Sequence, residues 1–215
     1  MVVREVARAE DGASEPAAST STERRPRADA VRNRDLLLTA AAAAFAARGA
    51  DVPLEDIARN AGVGIGTLYR HFPTRDALVE AVYRHEVEVL CDTADELLES
   101  LPPDQALAEW MQLFVRHVAT KKGMLSVLRP MMDTNASFAE QTRGRASGAA
   151  TKLLEAGRAA GTVRGDVNGE DLVRAVSGIC MSTDQERSEA SVRLVGLLVD
   201  GLRHGAAGGK SDSSS

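Results

Sequence analysis

Aromatic residues are scarce, at 3% of the 215-residue chain. A core must therefore be built mainly from Leu, Val, Ala and Met. Cysteine is nearly absent: Cys91 and Cys180 stand far apart, with no Cys-x-x-Cys and no His-rich metal spacing. That excludes a disulfide scaffold and any metal centre legible in the sequence. Two buried thiols in a reducing cytoplasm account for the pair, and a redox-sensing role is the sharper alternative. Proline is limited to 7 residues, and no run of alternating β-branched residues stands out. The economical fold class is all-α. No apolar run is long enough to cross a membrane, and residues 1–27 lack the apolar stretch of a signal peptide. A cytoplasmic protein is expected.

Catalytic patterns are missing as well. His71, His85, His117 and His204 stand in no recognisable nucleophile motif with Cys or Ser, and no glycine loop suited to cradling phosphate exists. Neither enzyme activity nor a cofactor is expected. What is present is 44% hydrophobic residues, enough for a globular core. The length suits one mid-sized domain or a small domain with a larger one.

The formal net charge of −5 speaks against nucleic-acid binding when taken over the whole chain. Its distribution reverses that. Residues 24–75 carry nine Arg against five acids, whereas residues 1–23 carry two Arg against five acids and residues 76–215 carry 15 basic against 21 acidic residues. Positive charge is gathered on one segment, as phosphate contact requires.

That segment contains LEDIARNAGVGIGTLYRHF, residues 54–72. Leu54, Ile57, Ala58 and Ala61 recur at helical spacing. Gly62 follows where a helix must stop with positive φ, and Val63 packs inward across the turn. A second helix opens at Gly64 or Ile65. Leu68 and Phe72, four apart, face the core; Thr67, Arg70 and His71 face out, with Tyr69 at the edge. Helix, tight glycine turn and polar second helix make a helix-turn-helix reader of DNA. The same pattern also fits an ordinary helical hairpin in an all-α core.

The flanks decide between them. An Ala-rich helix ending in Phe45 and Gly49, then the hairpin with Thr67-Leu-Tyr-Arg-His-Phe72, then Arg75 and Leu78, resembles the TetR family of bacterial regulators over about residues 32–82. The resemblance implies a homodimer, joined through the last two helices, that binds a double-stranded DNA operator. It also implies a small-molecule effector bound in a C-terminal helical domain. Repression relieved by a small hydrophobic ligand is the expected function. A DNA binder without a ligand, or a helical interaction module, remains the alternative. The expected DNA-contacting set is Gly64, Ile65, Gly66, Thr67, Tyr69, Arg70, His71 and Arg75. Gly64 and Gly66 permit close approach, and Thr67 reaches phosphate. Arg70 suits bidentate guanine recognition and Ile65 a thymine methyl. Tyr69, His71 and Arg75 are phosphate contacts by the resemblance, although the Tyr69 ring could equally pack in the core. Gly64 and Pro73 depart from the family pattern, which often has Ser or Thr and a basic residue there. The basic stretch Arg24–Arg27 offers a minor-groove arm or a solvated tail.

The remaining chain reads as helices. Residues 1–27 form a disordered, basic-ended tail, residues 28–75 the reader, residues 76–205 the regulatory and dimerisation domain, and residues 206–215 a second tail. Helix 1 is expected over 28–48. Helix 4 starts near Thr74, with Val89 among its apolar positions, and stops before Pro102. Helix 5 is closed by Lys121-Lys122-Gly123, and a short apolar helix at 124–132 is broken by Pro130. Helix 7 runs to Gly161; its small-residue centre, 146–150, permits close helix approach or leaves room for a ligand. Asn168 caps helix 8, and helix 9 is apolar on nearly all sides, as burial on two faces requires. The expected ligand pocket lies among helices 4, 5, 7 and 8. Its candidate lining is Trp110, Phe114, His117, Met131 and Met132, each of which could instead be plain core.

Overall fold

A computed structural model describes residues 24–182 and 188–204, with side chains from residue 28 onward except Ser188. Among the described residues there are nine helices and no strand. They are α1 (Arg24–Arg48), α2 (Leu54–Asn60), α3 (Ile65–His71), α4 (Arg75–Ser100), α5 (Pro103–Gly123), α6 (Leu125–Thr134), α7 (Ala136–Ala159), α8 (Gly169–Ser182) and α9 (Ser188–Arg203). No helix is long and apolar enough to cross a membrane among the described residues. Of the expected tails at residues 1–27 and 206–215, residues 1–23 and 206–215 lie outside them.

Local signals set most of the boundaries. Gly49, Gly62 and Gly161 all take positive φ at or just after helix ends, where a side chain would meet its own backbone. Thr74 caps α4 by accepting from the Ala77 N–H at 3.1 Å. Asn135 caps α7 through the Phe138 N–H at 3.1 Å, and Asn168 accepts from the Asp171 N–H at 2.8 Å. Each cap satisfies a donor that the helix itself cannot.

Three expectations need correction. Helix α1 begins at Arg24 rather than Ala28, so the basic stretch joins the helix instead of ending a tail; Pro26 sits in the first turn, where its missing N–H costs nothing. Pro130 does not break α6, which continues to Thr134. Val89 is 48% exposed and adds nothing to the apolar side of α4. Gly123 closes α5 as expected, and it is also pressed against α1. A Cβ there would fall 2.0 Å from the Phe45 carbonyl oxygen and 2.7 Å from its carbon. Only glycine lets the two backbones meet so closely.

Two hydrophobic clusters fill the molecule. The first joins Leu37, Leu38, Phe45, Ile57, Leu68, Phe72, Leu78, Val79 and Val82 from α1 to α4. It also takes in Met124, Leu128 and Phe138 from the far side of α5, α6 and α7. The packing therefore continues past residue 75 instead of ending there. The second gathers Leu107, Trp110, Met111, Phe114, Leu153, Leu172, Val176, Val195 and Val199. Helix α4 packs on α5 and α7 and carries side chains in both clusters. Its 26 residues span roughly 40 Å.

Candidate DNA interface and ligand cavity

Helix α3 has only seven residues, too few to hold helical structure alone. It is held from one side. Leu68 is fully buried and Phe72, just past its end, is 3% exposed; burying one such side chain stabilises by ~1.5–3 kcal/mol. Leu68 is the single buried residue of α3. Gly64, Ile65, Gly66, Tyr69 and Arg70 are exposed, with Thr67 and His71 half-buried. Arg70 faces out as expected, Thr67 and His71 are half-buried, and Tyr69 is 47% exposed. The turn that sets this angle runs through Gly62, at φ +69°. Val63 N–H then donates to the Ala58 carbonyl at 3.0 Å, closing the hairpin.

Arg75 is half-buried and engaged within the protein through Nη1. Its guanidinium donates to the Val52 carbonyl at 2.7 Å and to the Ala50 carbonyl. It therefore ties the start of α4 to the α1–α2 loop. Two further arginines are committed within the protein: Arg48 (2.9 Å) and Arg59 both pair with Asp56. The hydrogen bond from Arg48, foremost, holds the Asp56 carboxyl below its usual range. Arg34 lies over the Phe72 ring at 5.5 Å. The positive surplus counted along the sequence is thus only partly available to an outside anion.

A cavity of ≈ 490 Å³ opens among α4, α5, α6, α7 and α8. Of the expected lining, Phe114, His117 and Met132 are present. Trp110 and Met131 are not. Trp110 is fully buried and its indole N–H donates to the Leu90 carbonyl at 2.9 Å, which fixes it as core. Met131 packs against the first hydrophobic cluster. Missed by the sequence reading were Tyr83 on α4, Lys121 on α5, and Thr142, Arg143 and Ser147 on α7. Their signal was present. His117 and Lys121 are four apart, and Arg143 and Ser147 are four apart, which puts each polar pair on one helix face.

The cavity wall is an aromatic shelf. The Tyr83 and His117 rings stack at 5.6 Å with 28° between planes, and Phe114 lies 5.6 Å from His117. Burial, aided by the nearby Lys121 charge, pushes His117 down to about 4, so the ring is neutral at pH 7. Its Nδ1 atom is buried without a hydrogen-bond partner, and so is the Ser147 hydroxyl. Both residues line the cavity.

The thiols sit apart from this site. Cys91 is half-buried and Cys180 buried, and burial raises both above the usual thiol range.

Comparison with known proteins agrees with this architecture. Residues 37–82 match the family described as bacterial regulatory proteins, tetR family. Residues 102–204 match the family described as transcriptional regulator SbtR-like, C-terminal domain. The HTH-type transcriptional regulator SAR0097 of Staphylococcus aureus (strain MRSA252) is 33% identical over 79 residues. That match spans 35% of this chain and 41% of the relative's length. The crystal structure of TetR transcriptional regulator SCO0520 from Streptomyces coelicolor is 43% identical with a TM-score of 0.73, over 79% of this chain and 98% of that one. The TetR transcription regulatory protein from Mycobacterium vanbaalenii is 38% identical with a TM-score of 0.66, over 83% and 99% of the two chains. With a pinned helix-turn-helix, a helical region around a cavity, and the two solved relatives matched along nearly their full length, the chain belongs to the TetR family of DNA-binding transcriptional regulators.

Proposed function

We propose that the chain is a homodimeric repressor that leaves a near-palindromic operator when a small hydrophobic molecule fills the cavity. The observation that carries the DNA-reading part is the placement of Tyr69. Of the chain's seven aromatic residues, six are buried and Tyr69 alone is exposed, at 47%. A chain so poor in aromatics has placed one on the outer face of α3, beside Arg70. Arg70 is the guanine reader and Ile65 the thymine-methyl contact. Thr67, Tyr69 and His71 meet phosphates, with Gly64 and Gly66 keeping the approach clear. Arg75 acts on DNA indirectly, by fixing the α1–α2 loop behind the reader.

Residues 28–75 serve as the reader and residues 76–205 as the regulatory and dimerisation domain, with α4 common to both. Val192, Leu194 and Leu197 lie 43–67% exposed on α9. Leu194 and Leu197, three apart and so on one side of α9, form the apolar face for a second copy, which sets two readers about 34 Å apart, one turn of duplex. Tyr83 connects the cavity to α4, and α5 runs from His117 and Lys121 to its backbone contact with Phe45 of α1. A ligand shifts the reader spacing only through its different affinity for the two dimer shapes.

The test is a titration of selected and random duplexes with wild type and Arg70→Ala. The variant is expected to lose ~1–3 kcal/mol of discrimination while keeping its non-specific binding. Unchanged discrimination would remove Arg70 as the reader, and monomers on and off DNA would remove the palindrome.

A further inference from the structure

We propose that the cavity takes an aromatic carboxylate that carries a second polar group on its ring body, an inference that rests on the cavity being the effector site. Three features point to it. The wall of Tyr83, His117 and Phe114 rings, with Val118, Met132 and Met181, fits a flat apolar body. His117 Nδ1 and Ser147 Oγ are buried and unpartnered, and orphaned polar atoms are costly unless something fills the site and bonds them. His117 is 6% exposed, so water reaches it poorly.

The charges of the lining are unbalanced. Among the described residues Glu170 is the single carboxylate of the lining, and it is taken by Arg174 at 2.6 Å. Lys121 and Arg143 remain, and neither has a carboxylate partner among the described residues. Lys121 Nζ lies 5.5 Å above the Tyr83 ring, so an anion it binds sits at the edge of the aromatic shelf. Arg143, exposed at the mouth, supplies a planar fork that matches a carboxylate. The ring body lies along Tyr83 and His117, its hydroxyl or carbonyl bonds His117 Nδ1 and Ser147 Oγ, and its carboxylate reaches Lys121 and Arg143. Neutral His117 offers a hydrogen bond here and no charge, which leaves charge selection to the two cations.

The probes are 6-hydroxy-2-naphthoate and its amide, 6-hydroxy-2-naphthamide, titrated calorimetrically into the full chain. The acid is expected to bind about tenfold more tightly than the amide, the difference made by a charge-assisted pair. Lys121→Met and Arg143→Met should each erase most of that preference and leave amide binding within about twofold. Arg143 is exposed, so its variant folds even where Lys121→Met does not. Equal affinities for acid and amide, an acid preference intact in Arg143→Met and Lys121→Met, or no saturable binding of the acid each overturn the proposal. Release from a selected operator is read in parallel. Charge-dependent binding without release upholds the ligand class and rejects the effector reading. Release by neutral compounds alone does the reverse.

Discussion

Replacing Gly123 by Ala sets two physical effects against each other. In an exposed helix, Gly→Ala stabilises by ~0.8–1 kcal/mol because the backbone loses less freedom on folding. At residue 123 the new Cβ would lie 2.0 Å from the Phe45 carbonyl oxygen and 3.3 Å from the Ala46 nitrogen. Ordinary contact needs about 3.4 Å, so α1 and α5 must separate by roughly an ångström or more. Both neighbours are backbone inside helices, and neither can rotate away as a side chain would. Overpacking of this kind costs ~1–3 kcal/mol, and rigid neighbours put this case at the upper end. The net expectation is a loss of about 1–2 kcal/mol. For a chain of this length that lowers Tm by roughly 2–8 °C. The measurement is thermal and urea unfolding at one fixed protomer concentration, because dimerisation makes Tm concentration-dependent. The variant should also bind operator more weakly, since α1 carries Phe45 into the core beneath the reader. A Tm equal to or above wild type would refute the reasoning: the Gly123 approach would then be no constraint and helix propensity would rule.

Other perturbations follow from single contacts. Arg75→Lys keeps the charge but loses the fork that holds the Ala50 and Val52 carbonyls; a drop of ~1–3 kcal/mol in urea stability is expected, and a salt-dependence slope one phosphate shallower with unchanged stability would return Arg75 to direct DNA contact. His117 gives a pH signature. Its folded value of about 4 lies below its unfolded 6.5, so the unfolded chain binds the extra proton between those values, and stability is full above pH 6.5 and falls toward pH 4. The loss amounts to roughly 3 kcal/mol, and urea midpoints of His117→Gln should be flatter across that window; parallel curves would contradict it. Gly62→Ala meets no neighbour but must hold φ +69°, so ~1–2 kcal/mol of strain should appear in unfolding with no change of oligomeric state. Leu197→Asp, at a position 67% exposed, should yield monomers by light scattering and abolish operator binding; intact dimers would move the interface off α9.

The helix-turn-helix was legible because its signals are local. Gly62, Leu68 and Phe72 act within one or two turns, and the Thr74 and Asn168 caps act within three residues. Trp110 and Met131 lie outside the cavity lining, since periodicity gives the inward face of a helix and not what lies opposite. Trp110 met the Leu90 carbonyl and Met131 the first hydrophobic cluster, and neither partner can be counted along the chain. Pro130 misled for a related reason, since it reads as a breaker by intrinsic preference, yet α6 continues through it to Thr134.

The sequence by itself determined the all-α class, the reader's two-helix turn and the side of α3 that carries Leu68 inward and Arg70 outward, because helical period and turn chemistry are properties of neighbouring residues. Only the tertiary structure decided that Arg75 Nη1 binds the Ala50 and Val52 carbonyls, that Tyr69 is the lone exposed aromatic, and that Tyr83, His117, Lys121, Arg143 and Ser147 share one cavity. Those residues lie on three helices, up to 64 positions apart in the chain, and only the packing of α4, α5 and α7 brings them together.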